Sequence, residues 1–155
     1  MIYMRFIATL FLCISLISLT ACSMLPTDFE QVESKAYINT EQTLLGGTAS
    51  QLQAENTEHS SMYLISEGTD AFLTRMVLLS MAERSVDVQY FIFKADIIGK
   101  LIMHKMLEIA DNNVRVRLLL DELNLDSETK KILFSIDQHP NIEVRIYNPF
   151  SSSGY

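Results

Sequence analysis

The chain has 155 residues, of which 48% are hydrophobic and 20% are charged. This composition is typical of a globular protein and argues against disorder, and the length allows one domain at most once a targeting segment is set aside. The net charge of −7 provides no electrostatic basis for non-specific binding to nucleic acid. No nucleic-acid partner is therefore expected, although a local basic face would keep a nuclease as an alternative.

The amino-terminal 22 residues contain both cysteines, Cys13 and Cys22. No disulfide framework can therefore brace the rest of the chain, and no thiol is available there for catalysis. The three histidines, His59, His104 and His139, lie far apart in the sequence, so a local zinc motif is absent. Neither a metal site nor a cofactor site is predicted.

The amino terminus has the pattern of a secretory signal. Arg5 supplies one positive charge, and the almost wholly apolar run at residues 6–19 is too short to span a membrane comfortably. The small residues Thr20 and Ala21 follow, as they do before a cleavage site.

The four residues that end at Cys22, Leu-Thr-Ala-Cys, resemble the lipobox of bacterial lipoproteins, in which the cysteine becomes the lipidated first residue of the mature chain. The resemblance implies a lipoprotein signal peptide at residues 1–21, lipidation of Cys22 and attachment to the membrane through a lipid anchor. Because Ser23 is not acidic, it also implies an outer-membrane lipoprotein that faces the periplasm of a bacterial cell envelope. An ordinary cleaved signal with a chance cysteine is the alternative.

Residues 22–61 are predicted to form a polar tether between the lipid and the domain. Their acidic residues face a single base, Lys35, so little drives this part to fold on its own. The tether has room for short helical pieces. The apolar run at residues 62–65 that follows is either a first strand or a loop that leads into the domain.

Helical and strand patterns alternate in the rest of the chain. Three helices are predicted, at about residues 70–83, 98–110 and 126–136, and three strands, at residues 86–93, 114–120 and 142–146. Short connections and right-handed crossovers between these elements predict an α/β fold with a mainly parallel sheet and helices on its faces.

The strand at residues 86–93 contains only two polar residues, Asp87 and Gln89. This pattern is typical of a strand whose two faces are both covered by helices. A buried amide without partners would cost about 1–3 kcal/mol. Gln89 is therefore predicted to hold the centre of the sheet through hydrogen bonds of its amide, and a role in a site is the alternative.

Two carboxylates, Asp121 and Glu122, follow the predicted strand at residues 114–120 directly. In open α/β sheets, sites form at the carboxyl ends of the strands. These two residues are therefore candidates for a functional site. An alternative that is at least as common is that they begin a polar loop and cap a helix.

Several stretches together carry a resemblance to a known family: residues 83–93 (ERSVDVQYFIF), Asp96 with Gly99, and residues 114–122 (VRVRLLLDE). They resemble the amino-terminal half-domain of the phospholipase D superfamily, and residues 139–145 and 148–150 are similar to bacterial cardiolipin synthases of the C type. The likeness implies a truncated phospholipase D-like domain at residues 62–150, followed by a tail at 151–155. Phospholipid is the implied partner in the full-length family.

Enzymes of this superfamily carry two copies of a His-x-Lys-x-x-x-x-Asp motif. One histidine attacks phosphorus, the other acts as general acid, and the lysines neutralise phosphate oxygens. In this chain the positions two residues beyond the histidines hold Ser61, Met106 and Asn141, so no copy is present. No catalytic residue is therefore assigned.

Two interpretations of the whole chain stay open. The first is an amino-terminal fragment of a phospholipase D-like enzyme, inactive alone and truncated by a frameshift, a premature stop or a split gene. It is favoured because Asp121 and Glu122 lie where a site is expected to form, yet the chain contains no catalytic motif that would complete that site. The second is a lipid-anchored, non-catalytic binding module of the cell envelope. A half-sheet with an unpaired edge is expected to self-associate or to need a missing carboxyl-terminal part.

Overall fold

A computed structural model of the chain describes residues 33–55, 58–60 and 62–149, together with Tyr3, Arg5 and Ile7. These three amino-terminal residues are helical and exposed. Most of the predicted signal peptide, Cys22 and the predicted tail at 151–155 lie outside the described residues. Among the residues that the structure does describe, no helix is long and apolar enough to cross a membrane.

The compact unit Glu33–Asn148 contains four α-helices and three strands. In chain order they are α1 (Leu44–Glu55), α2 (Gly68–Ser80), β1 (Ser85–Tyr90), α3 (Ile97–Asp111), β2 (Arg115–Asp121), α4 (Ser127–Ile136) and β3 (Ile142–Tyr147). A short 3-10 turn, Glu122–Asn124, follows β2. The predicted alternation of helices and strands from α2 to β3 is confirmed. Helix α1 lies in the stretch predicted to be a tether, and residues 62–65 form neither helix nor strand.

The three strands form one parallel sheet in the order β1-β2-β3. Helix α3 connects β1 to β2, and α4 connects β2 to β3. Because both crossovers join neighbouring strands in the same direction, right-handed connections place both helices on the same side of the sheet. The predicted α/β fold with a parallel sheet and packed helices is confirmed.

The core lies between the helices and one face of the sheet. Every second residue of β2 is fully buried there, and α3 contributes apolar residues at a spacing of three and four along one side. Residues from all three later helices join the same cluster: Leu79 of α2, Ile102, Met103 and Met106 of α3, and Leu133 and Ile136 of α4.

The opposite side of the sheet, which we call the open face, carries Asp87 and Gln89 of β1, Arg115 and Arg117 of β2, and Arg145 of β3. Asp87 and Gln89 are exposed, so the expectation that helices cover both sides of β1 is not met. The reason is that α3 and α4 pack on the other side. The amide of Gln89 makes no hydrogen bond to the described residues, and the predicted bridging role of that amide is therefore absent.

Strand β1 is also shorter than predicted. It ends at Tyr90, and the next two residues, Phe91 and Ile92, are exposed in the connection to α3. Phe93 turns back into the core and is buried. An unbroken apolar run therefore contains both the end of a strand and a loop, and periodicity alone does not separate the two.

The connection from β1 to α3 depends on Gly99. The Oδ1 atom of Asp96 accepts a hydrogen bond from the Gly99 N–H at 2.8 Å and caps the helix. A Cβ atom at position 99 would lie 1.9 Å from the carbonyl oxygen of Lys94. Only glycine lets the loop carbonyl approach the first turn of α3 this closely.

We predict that Gly99→Ala lowers the free energy of unfolding by about 1–3 kcal/mol, because the new methyl group must displace backbone. Gly68→Ala is the matched control, since a Cβ atom at Gly68 meets nothing within 4 Å, and its effect should stay within about 0.5 kcal/mol. Urea denaturation followed by circular dichroism measures both. Equal effects of the two substitutions would contradict this account of the loop.

Candidate functional site

The carboxyl edge of the sheet, where sites of α/β proteins form, holds the two carboxylates selected from the sequence. The Oδ1 atom of Asp121 accepts a hydrogen bond from the Leu123 N–H at 2.9 Å and caps the 3-10 turn after β2. Asp121 therefore takes the capping role that was its alternative interpretation.

Glu122 is only 2% exposed and forms an ion pair with Lys130 of α4. A buried carboxylate is costly unless a partner compensates its charge, and Lys130 supplies that compensation. The pair joins the end of β2 to the beginning of α4. The carboxylate is thus engaged in holding two elements together.

Thr129, in the first turn of α4, connects that helix to the loop that follows β1. Its side chain is fully buried, and its Oγ1 atom accepts a hydrogen bond from the Ala95 N–H at 3.0 Å. Asn124 makes a second connection, because its Nδ2 atom donates to the carbonyl oxygen of Phe91 at 3.3 Å. Side chains therefore link the loop after β1 both to the segment that follows β2 and to α4, which no local sequence pattern indicates.

Asp126 caps the beginning of α4. Its Oδ1 atom accepts the N–H of Thr129 at 2.7 Å, and this backbone hydrogen bond, with others at the same helix end, lowers the pKa of Asp126 below its ordinary value. The lowered pKa keeps the carboxyl ionised and suits a helix cap. It does not suit a general acid near neutral pH.

A cavity of about 250 Å³ opens beside this edge. Arg75 of α2, Lys94 and Asp96 line it, together with apolar side chains that include Phe72, Tyr90 and Phe93. Arg75 and Lys94 are exposed cations, and cations of this kind can neutralise phosphate oxygens. No sequence pattern indicates that these two residues lie together; the only local signal is an arginine among the apolar residues of a helix.

The histidines have separate surroundings. His59 and His104 are exposed. The Nδ1 atom of His139 accepts the Asn141 N–H at 3.1 Å, so its Nε2 atom carries the proton and faces Asp111 Oδ1 at 3.2 Å. His139 therefore joins the end of α3 to the start of β3. Within the described part of the chain, no group of three or more His, Cys, Asp and Glu residues could hold a metal ion.

On the open face, Arg117 and Asp87 form a two-point ion pair between β2 and β1. The Nε atom of Arg117 lies 2.7 Å from Oδ1 of Asp87, and its Nη2 atom lies 2.6 Å from Oδ2. These hydrogen bonds lower the pKa of Asp87 and raise that of Arg117. The remaining nitrogen, Nη1, donates to the Ser34 hydroxyl at 2.8 Å.

Tyr37 lies between two arginines at the amino end of the strands. The guanidinium carbons of Arg84 and Arg115 lie 4.8 Å and 4.0 Å from the centre of its ring, within the range of cation–π attraction. The same arginines donate to the backbone carbonyls of Asn39 and Lys35. Part of the stretch predicted as a polar tether therefore contacts the open face and belongs to the compact unit.

We predict that Asp87→Asn makes stability less dependent on pH. Because the pKa of Asp87 is lower in the folded protein than in the unfolded one, the ion pair stabilises the fold above the unfolded pKa of about 3.9. This contribution disappears as the pH falls through the folded pKa. Since Asp87 is half exposed, we expect a loss of only about 0.5–1 kcal/mol at pH 7.

Urea denaturation of both proteins between neutral pH and pH 3 measures this effect. The stability difference should shrink as the pH falls below the unfolded pKa. Glu41→Gln is the control, because Glu41 is exposed and makes no ion pair within the described residues. A difference between wild type and Asp87→Asn that stays constant down to pH 3 would contradict the role of the pair.

The chain is related in sequence to cardiolipin synthases. It is 44% identical over 90 residues to cardiolipin synthase C of Escherichia coli, a match that covers 58% of this chain and 19% of that protein. It is 35% identical over 75 residues to the major cardiolipin synthase ClsA of Bacillus subtilis, which covers 48% of this chain and 16% of that protein.

A further relative is an uncharacterized protein of Helicobacter pylori strain J99, 38% identical over 108 residues, which amount to 70% of this chain and 21% of that protein. The chain thus spans about a fifth of the length of the curated relatives that it matches. No family model and no solved structure matches the chain.

Proposed function

We propose that this chain is the amino-terminal part of a phospholipase D-like enzyme of the cardiolipin synthase type, and that it has no activity alone. The observation that carries the proposal is the 44% identity to cardiolipin synthase C over 90 residues, found in a chain that lacks the catalytic motif of the superfamily. The full-length activity would be phosphatidyl transfer or phosphodiester hydrolysis at a membrane.

The chemistry of the carboxyl edge supports the proposal that this chain supplies a scaffold and not the catalytic groups. Phosphatidyl transfer through a covalent intermediate requires a nucleophile and a general acid. Asp121 and Glu122 are engaged in a cap and an ion pair, and His139 joins α3 to β3. Arg75 and Lys94 could neutralise a phosphate beside the cavity, but neither completes the pair of groups that the reaction needs.

The second candidate is a lipid-anchored module that binds a partner and does no chemistry. Both carboxylates at the carboxyl edge have structural roles, and this observation fits a binding module as well as it fits an enzyme scaffold. The two candidates predict different behaviour when this segment is placed in a complete enzyme. A scaffold should allow the enzyme to remain active, whereas a binding module is not expected to do so.

We predict that the purified full chain forms no cardiolipin from phosphatidylglycerol in mixed micelles, because it lacks a nucleophile and an acid. Mass spectrometry of the lipid extract measures the product. Cardiolipin that is formed by the full chain, and lost when His59, His104 and His139 are all changed to alanine, would overturn the proposal.

A chimera separates the two candidates. The 90-residue segment of Escherichia coli cardiolipin synthase C that matches this chain is replaced by the corresponding segment of this chain. The scaffold proposal predicts that the chimera restores cardiolipin in cells that lack their own synthases, and that Gly99→Ala in the chimera reduces it. A folded chimera without any activity would favour the binding module.

We also propose that the protein is a lipoprotein of the bacterial cell envelope, anchored at Cys22 and facing the periplasm from the outer membrane. The support is the lipobox-like sequence before Cys22 and the serine that follows it. Mass spectrometry of the mature amino terminus should find a lipid on Cys22. Cys22→Ser should abolish the modification and Cys13→Ser should leave it; an unmodified Cys22 would contradict the proposal.

A further inference from the structure

Residues 33–39, which we call the strap, lie against the amino-terminal part of the sheet. The Nη1 atom of Arg117 donates to the Ser34 hydroxyl at 2.8 Å, and the Nη2 atom of Arg115 donates to the Lys35 carbonyl at 2.9 Å. Both arginines belong to β2, which is the middle strand of the sheet. The strap therefore begins against the centre of the open face.

The strap ends against the turn that joins α2 to β1. Arg84 lies in that turn and donates to the carbonyl of Asn39. The ring of Tyr37 lies between the guanidinium groups of Arg84 and Arg115, within the range of cation–π attraction to both. Tyr37 is therefore the side chain of the strap that contacts two elements of the compact unit at once.

The chain that follows the strap is fixed as well. The Leu44 N–H at the beginning of α1 donates to the Glu83 carboxylate at 2.7 Å, and a negative charge is favourable there because the amino end of a helix carries a partial positive charge. A Cβ atom at Gly46 would lie 2.0 Å from the carbonyl oxygen of Thr40. The turn between the strap and α1 is therefore closely packed.

The strap itself lies on the surface of the compact unit. Ser34 is half-buried, whereas Tyr37 remains 42% exposed and Ile38 is exposed. Because the strap buries little apolar area, hydrogen bonds and the two ring contacts of Tyr37 hold it in place. A segment held in this way opens at a lower free energy than the core does, so the loss of one side chain should be enough to release it.

We propose that the strap shortens the tether and holds the compact unit close to a lipid bilayer, an inference that rests on the lipid anchor proposed at Cys22. Residues 23–32 join Cys22 to the strap, and an extended chain spans at most about 3.6 Å per residue, so this connection reaches no further than about 40 Å. With the strap released, the next fixed residue is Leu44, and the limit rises to about 80 Å. A shorter tether raises the effective concentration of the compact unit at the membrane surface.

Trypsin tests whether the strap is docked, because Lys35 is a cleavage site within it and the Lys35 carbonyl is bonded to Arg115. The substrate is the detergent-solubilised full chain with Cys22→Ser, which cannot carry the lipid. Tyr37→Ala should raise the rate of cleavage after Lys35 about tenfold, because both ring contacts are lost. Tyr37→Phe keeps the ring and should stay near the wild-type rate.

Each rate is divided by that of a synthetic peptide with the same substitution, so that the preference of trypsin for the altered sequence cancels. Tyr63→Ala is the matched control, because Tyr63 is 89% exposed and makes no hydrogen bond or ring contact within the described residues. It should leave the rate unchanged. Equal normalised rates for wild type and Tyr37→Ala would overturn the strap.

Energy transfer tests the length of the tether. The lipidated chain with Cys13→Ser carries a donor dye on Ser135→Cys, an exposed position of α4, and is placed in phosphatidylethanolamine and phosphatidylglycerol vesicles with an acceptor-labelled lipid. Tyr37→Ala should lower the transfer efficiency, and Tyr63→Ala should not.

The outcomes separate the proposals. Equal transfer for wild type and Tyr37→Ala, when trypsin shows the strap released, would overturn the shortening of the tether. A Cys22 without lipid would overturn it too, whereas the trypsin result does not depend on the lipid. Neither measurement involves cardiolipin synthesis, so a failure of the enzyme proposal would leave both results standing.

Discussion

The direction of the two crossovers determines most of this structure. Since α3 and α4 both connect neighbouring parallel strands in the same direction, right-handed connections place them on one side of the sheet. Alternate residues of each strand then face a helix layer and become the core, while the residues between them remain on the open face. The polar residues Asp87 and Arg117 are accommodated there because they bond to each other across the strands.

The sequence predicted the order and type of the elements from α2 to β3, because each has a clear period of 3.6 or 2 residues and short connections. It could not predict which faces of the sheet carry helices. The run at residues 86–93 suggested a strand buried on both sides, since nothing local distinguishes an apolar strand from an apolar strand end followed by a loop. Phe91 and Ile92 belong to that loop and are exposed.

At the candidate site, the position of Asp121 and Glu122 at the carboxyl edge was predictable, but their partners were not. Glu122 pairs with Lys130, and Asp121 accepts the N–H of Leu123. These partners follow from the three-dimensional arrangement and not from the local sequence pattern. The contacts of Tyr37 with Arg84 and Arg115 join residues far apart in the sequence. Composition therefore described residues 22–61 as a tether, although part of that stretch packs within the compact unit.

The loops at the carboxyl edge of the sheet are held by hydrogen bonds and an ion pair between residues of this chain. Asp96 caps α3 on Gly99, Thr129 accepts from Ala95, and Glu122 pairs with Lys130. Each of these contacts joins residues between positions 95 and 130, and none of them involves a histidine. A site is precise when its supporting residues are fixed by packing and hydrogen bonds. Here the cap at Gly99, the hydrogen bond of Thr129 and the ion pair of Glu122 supply that support at the carboxyl edge of the sheet.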